Sequence, residues 1–284
     1  MSIYRTQEGR RQVLRLYDAQ LQALGTPFED RWVETSFART HLVEVGAKEN
    51  PPLFVLHGGN ATTACNLLNC RFLLPWFHIY AADLPGHPGK SGEQCLPPYG
   101  RAYGKWAAEV IAALGYERLR CFGGSFGAGV LVKLMAAAPE KVERAVLTVP
   151  AALKNALPLK TLRMLGPLMR YRMTGEERWC ERCFLPLSAG EQIPPWLLAA
   201  GKCSLDHVKI KAMMPCDEPG RALRAYHGPV YVLAAQKDCL FPAKGVLRRA
   251  ARVWPQCRCG LLAGRGHIHS LTEEEEQGIL EFLR

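Results

Sequence analysis

A chain of 284 residues, 48% hydrophobic and 22% charged, has ordinary globular composition and suffices for one large α/β core with an insertion, which excludes a disordered or fibrous chain. The start, Met1-Ser2-Ile3-Tyr4-Arg5, lacks an apolar signal core, and no run approaches the roughly 18 apolar residues of a membrane span, so a soluble cytoplasmic protein is expected. The formal charge of +10 is scattered along the chain without a recognition motif, so solvated surface charge is expected and nucleic-acid binding is not.

Val13, Leu14, Tyr17, Leu21 and Leu24 recur at helical spacing, and Gly25-Thr26-Pro27 ends that helix. Residues 31–37 and 40–45 read as strands, the second alternating around Leu42, Val43 and Val45 as at the antiparallel start of a sheet. Leu53 to Leu56 and His78 to Asp83 read as buried strands of the kind covered by helices on both faces. The first ends in His57-Gly58-Gly59-Asn60, the second in Leu84-Pro85-Gly86-His87-Pro88-Gly89-Lys90-Ser91. In an open parallel sheet such carboxyl ends are where ligands sit.

A helix over 99–114 turns Tyr103, Trp106, Val110 and Ile111 inward. The strand Leu119 to Phe122 then runs into Gly123-Gly124-Ser125-Phe126-Gly127 and out into a helix bearing Val130, Leu131, Leu134 and Met135. This is a Gly-x-Ser-x-Gly elbow: a hydroxyl serves as a nucleophile only when lifted clear of its backbone, and the turn that lifts it needs the small residues Gly123 and Gly127. It also sets the N–H of Phe126 at a helix N-terminus, aimed where an oxyanion forms.

Ala145 to Val149 is the next strand, after which the alternation of strand and helix fails until about Gly220. This stretch holds Pro158, Pro167, Pro186, Pro194, Pro195, Pro215 and Pro219 and Leu/Met-rich helical pieces over 159–173 and 196–214, and it reads as a helical cap. The core is therefore expected over 1–150 and 221–284, with the cap over 151–220. Val230 to Ala235 resumes the sheet and is followed by Gln236-Lys237-Asp238-Cys239-Leu240-Phe241-Pro242. A helix over 247–254 and a last strand over 259–263 lead to Gly264-Arg265-Gly266-His267, and Thr272 with Glu275 forms a capping box for a final helix.

The eleven cysteines form no disulfide framework and suit a reducing compartment. Cys180-x-x-Cys183 and Cys257-x-Cys259 resemble metal pairs, but a structural zinc site needs four ligands, so no metal is expected.

Serine catalysis needs a base for the hydroxyl proton and a carboxylate to hold that base in one tautomer. Asp238 follows the penultimate strand and His267 the last, giving the chain order Ser, Asp, His. His269 and His87 are rival bases. Asp83, Asp206 and Asp217 are the other carboxylates considered, the last two within the cap. With the His57-Gly58-Gly59 loop, the turn from Asp83 to Ser91, the elbow, Asp238-x-x-x-Pro242 and Gly266-His267 in this order, nearly the whole chain resembles the α/β-hydrolase fold superfamily.

The resemblance implies an eight-stranded, mostly parallel sheet and a Ser125/His267/Asp238 triad. It further implies an oxyanion hole from the backbone N–H groups of Gly59 and Phe126, and structural roles for Asp83 and the loop of His87. His57 is expected to order its loop. The expected activity is a serine hydrolase cleaving a carboxylic ester of a small or medium apolar substrate through an acyl-enzyme, with no cofactor. Thioester hydrolysis, acyl transfer and carbon–carbon bond hydrolysis are alternatives on the same site, as is a non-catalytic ligand-binding protein. Lys160, Arg163, Arg170 and Arg172 are read either as partners of an anionic substrate such as an acyl-CoA or as a solvated face.

Overall fold

The computed structural model describes residues 2–156 and 162–284. Helix α1 (Gln7–Gln22) is capped by the Thr6 hydroxyl and buries Val13, Tyr17 and Leu21. The antiparallel pair β1 (Phe28–Glu34) and β2 (Arg39–Val45) follows, then β3 (Pro52–Leu56), the short helix α2 (Thr63–Asn69) and β4 (His78–Ala82). The next elements are α3 (Ala102–Ala113), β5 (Leu119–Gly124), α4 (Phe126–Ala137) and β6 (Val142–Thr148). After β6 the chain leaves the sheet for α5 (Leu165–Thr174), α6 (Glu177–Ser188), α7 (Pro195–His207) and α8 (Gly220–Leu223). It returns as β7 (Val230–Ala235), α9 (Ala243–Val253), β8 (Arg258–Leu262) and α10 (Glu273–Leu283).

The strands form one eight-stranded sheet in the order β1-β2-β4-β3-β5-β6-β7-β8. Only the β1–β2 and β2–β4 pairings are antiparallel. From β4 to β8 every pairing is parallel. The parallel strands are apolar on both faces because helices cover both: one core layer holds Phe54, Trp106, Leu131 and Val232, and the other Leu53, Leu67, Phe122 and Leu233. The capping box of Thr272 and Glu275 forms at α10.

Three expectations need correction. Helix α7 ends at His207 rather than near Met214. Val208 there makes a β-bridge to Tyr4, and the N–H of Lys209 donates to the carbonyl of Ile3, so the chain is drawn into extended pairing. The sequence pattern predicts no separate helix where α2 and α6 form. Of the helical piece expected over 159–173, α5 accounts for 165 onward, and Pro158, Leu159 and Lys160 lie outside the described residues.

Candidate active site

Ser125 occupies the turn between β5 and α4 at φ 53° and ψ −114°, a conformation that costs a residue with a side chain about 1–3 kcal/mol. Two glycines permit it. A Cβ on Gly123 would stand 2.9 Å from the N atom of Ala128, and one on Gly127 would run into the carbonyls of Leu56 and His57. The Ser125 N–H donates to Thr148 O at 2.9 Å, and its carbonyl accepts from Gly129 and Ala151 at 3.0 and 3.2 Å, so the strained residue is fixed from both sides.

The Oγ of Ser125 lies 2.9 Å from Nε2 of His267, and Nδ1 of that ring lies 2.9 Å from Oδ2 of Asp238. The other oxygen of Asp238 accepts from the N–H groups of Leu240 at 2.7 Å and Phe241 at 3.0 Å, and the side chain is fully buried. Since an ionised carboxylate only accepts, Nδ1 donates to it, and the lone pair on Nε2 faces the serine hydroxyl. Three loops far apart in sequence thus meet at the carboxyl edge of the sheet.

The rival groups lie outside this hydrogen-bonded chain, although His87 and His269 also line the cavity beside it. His57 accepts the N–H of Leu84 on Nε2 at 3.0 Å and donates from Nδ1 to Gly58 O at 2.8 Å, tying the loops after β3 and β4 together. His87 is buried edge-on to Phe126, and burial, reinforced by His57, pushes its pKa down to about 3. His269 hydrogen-bonds through Nδ1 to the carbonyls of Gly266 and His267, and burial lowers its pKa as well. Asp83 accepts from Tyr17 Oη, the Thr63 N–H and the Lys90 N–H and faces Nδ1 of His41 at 2.9 Å. Burial alone would raise its carboxyl; the hydrogen bond from His41 and the neighbouring charges outweigh that and hold it below the ordinary range. Asp206 accepts from Tyr171 and Lys202, and Asp217 from the N–H of Asn155.

Phe126 is the first residue of α4, so its N–H has no acceptor within the helix. Gly59 packs on the same residue: a Cβ there would stand 3.3 Å from the Phe126 ring. Both line, with Ser125 and His267, a cavity of about 550 Å³. Its walls from the segment between β6 and β7 are mostly apolar, including Met164, Phe184, Leu187, Ile193 and Leu197, with Ser204 among them. The core adds an uncharged and charged polar rim that sequence reasoning missed, Asn60, Asn66, Asn69, Arg71 and Glu276. The signal was available in polar residues three apart on the otherwise buried helix α2, where Asn69 accepts the Trp196 indole N–H at 2.7 Å.

Among the described residues, Arg163, Arg170 and Arg172 do not line this cavity, and Lys160 lies outside the described set. No group of three or more His, Cys, Asp or Glu side chains is arranged to hold a metal among the described residues. Cys180 and Cys183 are instead buried thiols of α6.

A strand, a strained serine turn and a helix, with histidine and aspartate loops converging on one rim of such a sheet, are the architecture of the α/β-hydrolase fold, and known proteins of that fold are similar to nearly the whole chain. The model of the α/β hydrolase fold family matches residues 51–185. Carboxylesterase YbfK of Bacillus subtilis (strain 168) is 26% identical over 284 residues, covering 95% of this chain and 94% of that protein. The crystal structure of carboxylesterase CesB (YbfK) from Bacillus subtilis superposes with a TM-score of 0.81 at 23% identity, over 97% of this chain and 98% of that one. Naproxen esterase (carboxylesterase NP) from Bacillus subtilis superposes with a TM-score of 0.83 at 18% identity, over 98% and 99% of the two chains.

Proposed function

We propose that the protein is a serine hydrolase that cleaves carboxylic esters of small to medium apolar acids or alcohols through an acyl-enzyme. The observation that carries this reading is the hydrogen-bonded chain Ser125–His267–Asp238, with both links at 2.9 Å, in an apolar-walled cavity. The carboxylesterase names of the relatives support the ester as substrate.

In the proposed reaction the Ser125 hydroxyl gives its proton to Nε2 of His267 as Oγ attacks the ester carbonyl. The oxyanion receives hydrogen bonds from the N–H groups of Phe126 and Gly59, fixed before the substrate arrives. His267 returns the proton to the departing alkoxide, and the alcohol leaves an acyl-serine. Water, deprotonated by His267, then attacks that acyl group and frees the acid. Asp238 stays ionised throughout, holding the Nδ1–H and stabilising the imidazolium. The inserted helices form a cap that surrounds the ester with apolar side chains and limits bulk water.

Ser125→Ala is expected to lower turnover of a p-nitrophenyl ester by about 10⁴–10⁶-fold with unchanged circular dichroism. A fluorophosphonate is expected to label Ser125 alone. An unaltered rate in the purified variant would remove the reading.

A further inference from the structure

The exposed apolar side chains of the core are isolated, and cations shield two of them: Arg39 lies over Trp32 at 4.4 Å and Arg284 over Trp76 at 3.8 Å. The inserted segment differs. Leu162, Leu165, Met169 and Met173 are 56%, 50%, 65% and 82% exposed. Their spacing puts them within about a quarter of the helix circumference, along α5 and the turn before it. The opposite face of α5 is already in use, since Tyr171 is buried there and Met164, in the preceding turn, lines the cavity. An apolar stripe facing solvent on a helix whose other side packs inward is not explained by folding.

The charge on α5 itself has one sign. Arg163 and Arg170 flank one side and Arg172 the other, and α5 contains no acidic residue. Behind them three guanidinium groups gather on one indole: Arg170, Arg178 and Arg182 lie 4.7, 5.4 and 4.7 Å from the Trp179 ring. Arg178 pairs with Glu176 at 2.5 Å. Among the described residues, Arg163, Arg170 and Arg182 have no carboxylate partner. Glu177 and Glu181, four residues apart, form a separate row of α6.

From this we infer that α5 and α6 form a docking face for an anionic lipid surface, the Leu/Met stripe entering the acyl boundary while the arginines meet phosphate headgroups. The chemistry on each side is complementary: apolar side chains at the depth of the acyl chains and guanidinium groups at the depth of the phosphates. The net charge of +10 attracts the molecule to such a surface before contact. Met164 lines the cavity from the other face of the same segment, so docking on the stripe leaves α5 between the lipid surface and the cavity.

The test is cosedimentation of the full chain with vesicles of phosphatidylcholine alone and with vesicles of two parts phosphatidylcholine to one part phosphatidylglycerol. Binding is expected to the anionic vesicles, weakening as salt is added. Met169→Asp/Met173→Asp is expected to weaken it more than ten-fold and Arg163→Gln about five-fold. Hydrolysis of a water-soluble short ester should stay unchanged in both variants. Sedimentation is read without turnover, so its failure is separable from failure of the esterase proposal. Equal binding to both vesicle types, or to neither, overturns the inference. So does a dimer that Met169→Asp/Met173→Asp dissolves, since a second copy of the chain would then cover the stripe.

Discussion

Asp238 is held so that its two oxygens have different duties. Oδ1 accepts two backbone N–H groups, while Oδ2 takes the imidazole N–H. In Asp238→Asn the carbonyl oxygen must occupy the Oδ1 site, since an amide nitrogen there would face two donors. The amide nitrogen then points at Nδ1 of His267, forcing that atom to accept and placing a proton on Nε2, which can no longer take one from Ser125. Turnover at neutral pH is expected to fall about 10⁴-fold with little change in KM, measured on the same ester as Ser125→Ala. A loss below ten-fold would show that the carboxylate does not set the tautomer. Another buried residue, His87, links stability to pH. Its pKa falls from the ordinary 6.5 to about 3 through burial, so between those values the unfolded chain binds a proton that the native chain does not. Stability from this group is present above 6.5 and is lost as pH falls, with a slope of about 1.4 kcal/mol per pH unit. Urea unfolding at pH 7 and pH 5 is expected to show a smaller difference for His87→Leu than for the parent protein.

Helix α4 links the serine turn to the inserted segment. Lys133, near its middle, is 1% exposed and meets Glu218, 4% exposed, at 2.6 Å. The Glu218 N–H also donates to Ala152 O at 2.9 Å, and its carbonyl accepts from Arg249. Lys133→Met leaves a buried carboxylate without its cation and is expected to cost about 3–5 kcal/mol in urea unfolding; Lys133→Met/Glu218→Leu should recover most of that loss. The pair was invisible in the sequence because 85 residues separate its members and neither falls at a motif. The strand-ending loops were legible for the opposite reason: apolar runs report locally where strands end, and the position of Asp238 and His267 just after the last two strands, in the chain order Ser, Asp, His, pointed to one sheet edge. The antiparallel start and the place of Asp83 were equally legible. Helix α6 was obscured by Pro186 within it and by two cysteines that invite a ligand reading, although Cys180, Cys183, Phe184 and Leu187 carry helical spacing. The end of α7 depends on Tyr4, about two hundred residues away, and no local pattern reports such a partner.

At the scale of the whole molecule, the proposed function gives the sheet the task of gathering the reacting groups and the inserted helices that of selecting what reaches them. The two are joined at several points, two of them through residues beside the cavity or its lining. The Ile268 N–H, next to the histidine, donates to Leu187 O at 2.9 Å, and the carbonyl of Trp196 accepts from Gln20 at 2.8 Å. Helix α6 packs on α7 so closely that a Cβ on Gly201 would stand 3.0 Å from Cε1 of Phe184, whose ring also walls the cavity. On the proposed function, Phe184 is expected to bound the length of the apolar chain that fits. Phe184→Ala is expected to raise the ratio of kcat/KM for long over short acyl esters about ten-fold, because each methylene newly admitted to an apolar pocket is worth about 1–3 kcal/mol. The kcat for the shortest ester, set by Ser125 and His267, should move little. If a chain-length series of p-nitrophenyl esters instead shows every member slowed alike, Phe184 holds the catalytic loops in place rather than bounding the substrate, and the division between a reacting sheet and a selecting insertion does not hold.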